Sequence, residues 1–156
     1  MNRTHIIGLA VLAVALVVIY RMRNTINLGL SELLPASGKI AAFALAIAKA
    51  EGFYVAGSIP ATSNNPGDLK VPGSDNTTDG GITIFDSIEE GWSALYHQLQ
   101  IIVDGKSANY NLNMTIKQMG DKYAPAADKN VPGAWALNVA AALGVSVNTP
   151  LRDVLT

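Results

Sequence analysis

Fifteen consecutive residues near the amino terminus, 6–20 (IIGLAVLAVALVVIY), carry no charge. A run of that kind seeks lipid or a protein interior. It leaves the 156-residue chain with room for one further domain and little else. A helix that crosses a bilayer needs roughly 20 apolar residues. The run approaches that length if Thr4 and His5 join the helix and the Arg21 and Arg23 side chains snorkel toward headgroups. A cleaved secretory signal is the competing reading, with Arg3 as its basic start. No small-x-small cleavage site follows, because the next residues are Tyr20-Arg21-Met22-Arg23. An uncleaved anchor over residues 1–23 is therefore favoured, with lipid as the partner of residues 6–20; a buried core helix stands third. Basic residues flank the run on both sides, so the positive-inside rule gives no single orientation.

Residues 24–38, NTINLGLSELLPASG, are punctuated by Asn, Gly, Ser and Pro and read as a linker. The domain proper is expected over 39–156. Beyond Ser37 stand eight Lys+Arg against eleven Asp+Glu, a net charge of −3 (8 − 11). No basic stripe interrupts this balance, which argues against nucleic acid as a partner. Cysteine is absent, which excludes a disulfide framework and Cys-based metal sites. The two histidines, His5 and His97, lie far apart and make no zinc pair by themselves, so no cofactor is expected.

Residues 39–51, KIAAFALAIAKAE, give the clearest helical pattern. Ile40, Phe43, Ala44, Ile47 and Ala48 recur at helical spacing, and Gly52 follows as a stop. Glu51 is thus delivered where the apolar stripe runs out. From 52 to 81 the composition changes to Gly, Ser, Thr, Asn, Asp and Pro. This stretch predicts a long loop carrying a small two-stranded hairpin with GSDNTTDGG as its turn. A loop of that length within a small domain is usually functional or disordered. Ser87-Ile88-Glu89-Glu90 has capping-box spacing and opens a second helix over 88–103. A third is expected over about 114–121 and a fourth over about 132–143, between Pro132 and Gly144; Pro150 begins a last turn. Four helices and a minor hairpin make a mostly α (α+β) domain.

Three stretches can carry chemistry. Glu51 ends a helix ahead of a polar loop, where partial burial and the negative end of the macrodipole would raise its pKa. A carboxylic acid still protonated near neutral pH can give its proton to a glycosidic oxygen. A helix-terminal Glu is more commonly just solvated, so spacing alone does not carry the assignment. Ser63-Asn64-Asn65-Pro66-Gly67-Asp68 is turn chemistry, with two side-chain amides available to sugar hydroxyls. Around Lys122-Tyr123-Ala124-Pro125, Tyr123 can line a cleft, while Asn130 suits a helix cap. His97 lies in mid-helix and reads as a packed or partly exposed residue.

Taken in order, Ala48-Lys49-Ala50-Glu51-Gly52-Phe53, Asn64-Asn65-Pro66-Gly67-Asp68-Leu69 and Phe85-Asp86-Ser87-Ile88-Glu89-Glu90-Gly91-Trp92 resemble the lysozyme-like lytic transglycosylases of bacteriophage virions. The run from Thr115 to Val145 is similar to the C-terminal part of the same proteins, so the likeness spans about 39–151. It implies a lysozyme-like fold and cleavage between N-acetylmuramic acid and N-acetylglucosamine in peptidoglycan strands, with Glu51 as acid/base. It further implies substrate contacts from Asn65 and Asn64, a cleft role for Tyr123, and a place on a virion or bacterial inner membrane among other virion proteins. Where the family commonly has Tyr in its last helix this chain has Trp135, read as packing or a sugar platform. A glycosidase that uses water needs two carboxylates. A transglycosylase manages with one, because the muramyl hydroxyl attacks within the substrate. No second Glu follows in the loop, which favours the transglycosylase. Asp68, Asp75, Asp79 and Asp86 keep the hydrolase open.

Overall fold

The computed structural model describes residues 38–124 and 133–156. The expected anchor over 1–23, its lipid contact, most of the linker, Asn130 and Pro132 lie outside the described residues. The described residues belong to one compact unit. Six helices appear in order: α1 (Gly38–Ala50), α2 (Ile59–Thr62), α3 (Ile88–Val103), α4 (Ile116–Tyr123), α5 (Ala134–Leu143) and α6 (Leu151–Leu155). None of the described helices is long and apolar enough to cross a membrane.

Helix α1 is the centre of the packing, in contact with α3, α5 and α6, while α4 lies against α5. Its composition explains this place. Phe43, Ala44, Ile47 and Ala48 are fully buried and Ala46 nearly so, so alanine on several faces lets neighbouring helices approach. The large side chains fill what remains, and truncating Phe43 to Ala would cost about 3–5 kcal/mol. The helix ends as expected: Gly52 takes φ 75° and Phe53 N–H closes onto the Ala48 carbonyl at 2.9 Å.

Helix α3 is capped by Ser87, whose hydroxyl accepts from Glu90 N–H. The reciprocal bond of the expected capping box is displaced by one residue. The Glu90 carboxylate accepts from Asp86 N–H rather than from the cap residue. The full box occurs on α4, between Thr115 and Gln118, and shifts that helix two residues beyond its expected start. Helix α5 ends at Gly144 in the left-handed conformation, as its sequence predicts. The C-terminal segment runs back beside residues 112–116, with Leu151 N–H on Met114 O and Ile116 N–H on Thr149 O.

The loop between α1 and α3 differs from expectation. One turn of helix, α2, forms where Ser58 caps Ala61 N–H and Pro60 pre-sets the backbone. The predicted hairpin shrinks to an isolated antiparallel bridge, Thr77 to Thr83, flanked by Thr78 N–H on Ile82 O and Ile84 N–H on Asn76 O. Its turn is the short stretch after Thr78, closed by Gly81 N–H, and not the whole of 73–81. Thr83 is also engaged on its other side, toward residues 69–71. Its N–H bonds to Leu69 O, and its hydroxyl accepts from Val71 N–H. The fold is α-rich, with no strand longer than a bridge among the described residues.

Candidate active site

Glu51 stands one residue beyond the last turn of α1, its N–H still bonded to Ile47 O. That position points a carboxyl out of the core without freeing it from the core. The Trp135 indole N–H, from the first turn of α5, donates to Glu51 Oε1 at 2.6 Å. Trp135 is 6 % exposed, so its ring offers no open face to a sugar, and the platform reading gives way to this hydrogen bond. The ring stacks on Tyr123, with centroids 4.7 Å apart and planes 25° from parallel. Tyr123, the last residue of α4, sends its hydroxyl to the Gly67 carbonyl at 2.5 Å. Helix, helix and loop are thus tied together around one carboxyl.

A groove of about 820 Å³ opens beside it. Glu51 and Tyr123 line it together with Asp68, Lys70, His97 and Tyr110. The loop supplies one wall (Asp68–Pro72, Gly80 and Ile82), and α3 with residues 109–110 and 122–124 supplies the other. Of the four aspartates that sequence kept open as a second carboxylate, Asp68 is the one on this groove; Asp75, Asp79 and Asp86 are exposed and lie elsewhere.

The electrostatics favour an acid. Burial pushes Glu51 up from 4.5 to about 7, the neighbouring Asp68 adds to the rise, and the Trp135 hydrogen bond opposes it by supporting the carboxylate. Burial also raises Asp68, against the pull of Lys70. Asp68 Oδ1 is buried with no hydrogen-bond partner among the described residues, and the residue sits at φ 49°, both unusual for a plain loop carboxylate. Burial, then the charges of Glu51, Tyr110 and Asp68, hold the Tyr123 hydroxyl well above its ordinary value, so it remains a neutral donor.

The two loop amides do not reach the groove chemistry expected of them. Asn65 is fully buried; its Nδ2 donates to Leu69 O and Thr83 O, and its Oδ1 accepts from Leu69 N–H, each at 2.9 Å. Every polar atom is spent on folding the loop, which leaves none for a sugar. Asn64, at φ 51°, donates to Phe85 O and tucks its own carbonyl against Gly91. A Cβ at Gly91 would stand 1.7 Å from that carbonyl oxygen, so only glycine lets α3 lie this close.

Glu51, Tyr123 and Trp135 are brought to one point, while Asn64 and Asn65 build the wall behind it. The groove residues Lys70, His97 and Tyr110 carry no pattern in sequence that assigns them there; Asp68 could have been singled out as the one aspartate inside the Asn-Asn-Pro-Gly turn. No family model, curated protein or solved structure matches this chain.

Proposed function

We propose that the protein cleaves the glycan strands of bacterial peptidoglycan, between N-acetylmuramic acid and N-acetylglucosamine, by a lytic transglycosylase mechanism on a lysozyme-like domain. One observation carries the reading: a half-buried carboxyl, raised to about 7, lines an open groove large enough for sugar rings. In this role Glu51 gives its proton to the glycosidic oxygen as the bond to the muramyl anomeric carbon breaks. The resulting carboxylate then takes the proton of the muramyl C6 hydroxyl, whose oxygen closes onto the same carbon. Atoms balance without water, and the product ends in 1,6-anhydromuramic acid. A pure wall-binding or structural role has no use for an acid held near neutral pH. The anchor over 1–23 would keep the domain on a virion or bacterial inner membrane, within reach of the wall and of other virion proteins.

Asp68 supports a second reading. It lines the groove and raises Glu51 through its charge, so a hydrolase with Asp68 guiding water is available on the same geometry. Mass spectrometry of muropeptides from digested sacculi separates the two. Anhydro ends are expected; reducing muramic acid as the main product would replace the transglycosylase with the hydrolase. No release of muropeptides at all would remove the enzyme reading.

A further inference from the structure

Glu51 has two oxygens, and the structure treats them differently. Oε1 is engaged by the Trp135 indole at 2.6 Å, and no described residue donates to Oε2. An indole N–H is a donor only, and in a protonated carboxyl the carbonyl oxygen is the better acceptor of the two. When Glu51 is protonated, the hydrogen bond therefore favours the proton on Oε2, with Oε1 as the carbonyl oxygen facing the tryptophan. We infer that Trp135 is a positioning residue which fixes the Glu51 carboxyl and selects Oε2 as the oxygen that delivers and recovers the proton. The inference rests on the reading of Glu51 as the acid and adds which atom acts and what orients it.

The surroundings of the indole show why it can hold this position. Tyr123 stacks on one side of the ring and is itself pinned through its hydroxyl to Gly67 O. Gly120 of α4 comes so near that a Cβ there would stand 3.0 Å from Trp135 Cε3 and 3.0 Å from Ala136 Cβ. Ring stacking alone needs no N–H and no particular rotation of the carboxyl. The 2.6 Å bond requires both, and beside an indole that is itself buried such a bond resists reorientation. Without the donor the carboxyl would turn freely, and either oxygen could carry the proton.

The pair can be observed without any turnover. The chain has two tryptophans, so its indole N–H region holds two resonances, and Trp135→Phe identifies one of them. In the full-length protein the Trp135 indole proton is expected to move with pH around an inflection near 7, upfield as Glu51 becomes the acid and the hydrogen bond weakens. Trp92, packed between Phe53 and Tyr96, serves as the internal reference. Among the described residues, the other ionisable groups facing the site are Asp68, Lys70, His97, Tyr110, Lys122 and Tyr123. Glu51→Gln should abolish the inflection, Asp68→Asn should move it to lower pH, and His97→Gln should leave it in place. A Trp135 resonance that ignores pH, or that still titrates in Glu51→Gln, would overturn the inference.

Kinetics give the second readout. Trp135→Phe keeps the stack on Tyr123 but loses the N–H that supports the carboxylate, so the alkaline limb of the pH–rate profile should move to higher pH. The maximal kcat should fall by roughly tenfold to a hundredfold, the cost of losing one hydrogen bond to a charged group. KM should change little. An unaltered profile with unaltered kcat would sink the positioning role. If Glu51→Gln still digested sacculi at the wild-type rate, Glu51 would not be the acid. A titrating indole would then still establish the pair while removing its purpose.

Discussion

The two clusters on which a glycan site was expected, the Asn64–Asp68 turn and the Glu51–Tyr123–Trp135 group, turn out to divide the labour. The turn is rich in amides that look made for sugar hydroxyls. Yet Asn65 is fully buried and bonds three times to Leu69 and Thr83, and Asn64 reaches Phe85. The other group looks apolar, and it surrounds the carboxyl whose pKa is raised to about 7. A loop with few apolar side chains has to satisfy its own backbone before it can offer anything to a ligand. The two aromatic rings beside the carboxyl carry no such debt, and the polar tip of each makes a single bond.

Replacing Glu51 tests the reactive half most severely. Glu51→Gln keeps the shape and can still accept the Trp135 indole, but it has no proton to transfer. Turnover on sacculi should drop at least a thousandfold, with the α-helical circular dichroism unchanged. Wild-type lysis by this variant would move the acid elsewhere and leave the cluster a packing feature.

Asn65→Ala tests the scaffold half. It removes three hydrogen bonds and leaves Leu69 N–H and Thr83 O unpaired inside the loop, so the cost should be about 3 kcal/mol or more. The denaturant midpoint should fall, with the loss of protection concentrated at residues 63–85 in amide exchange. A variant with normal stability and a raised KM would instead make Asn65 the sugar contact that sequence suggested.

These outcomes bear on what sequence could tell. The helices around α1 were legible because Ile40, Phe43 and Ile47 recur at one spacing and Gly52 and Gly144 stop their helices in the left-handed conformation. Glu51 was legible by its place at a helix end. The Trp135 to Glu51 bond was not, since it joins residues 84 positions apart and depends on how α5 rolls against α1. The hairpin was over-read because a Gly-rich stretch between short apolar pieces has the same pattern whether it pairs once or five times. The groups next to the bridge are bonded across the loop instead, Phe85 N–H to Ser63 O and Asn76 Nδ2 to Ile84 O.

The carboxyl to which the proposed reaction assigns the proton should also weaken the fold. A Glu raised from 4.5 in the unfolded chain to about 7 in the folded one binds its proton more tightly when folded. Its contribution to stability is complete below 4.5 and is lost as pH rises through 7. At pH 8 the penalty is up to about 3 kcal/mol, less the share of Glu51 that water still screens. Glu51→Gln should therefore melt higher than the wild type at pH 8 and match it at pH 4. Equal melting temperatures at both values would show that the folded carboxyl titrates normally, and the comparison between the two clusters would lose its electrostatic basis.

Asp68 joins the halves, since it belongs to the turn and faces the groove, and its replacement should give the smallest and most diagnostic effect. Its backbone is left-handed, a conformation that asparagine tolerates, so Asp68→Asn should fold without added strain. The variant removes a negative charge that helps to keep Glu51 protonated. Glu51 should then lose its proton at lower pH, and the alkaline limb of the rate profile should move in that direction. At pH 5.5, where Glu51 stays protonated in both proteins, rates should agree within about a factor of two, whereas at pH 7.5 the variant should be several-fold slower. This displacement is opposite in sign to the one expected from Trp135→Phe, because the charge of Asp68 favours the acid and the indole favours its conjugate base. A loss of rate at every pH, by a hundredfold or more, would assign Asp68 a direct part in guiding water and turn the enzyme into a hydrolase. No change at any pH would confine Asp68 to the turn and leave burial alone to raise the acid.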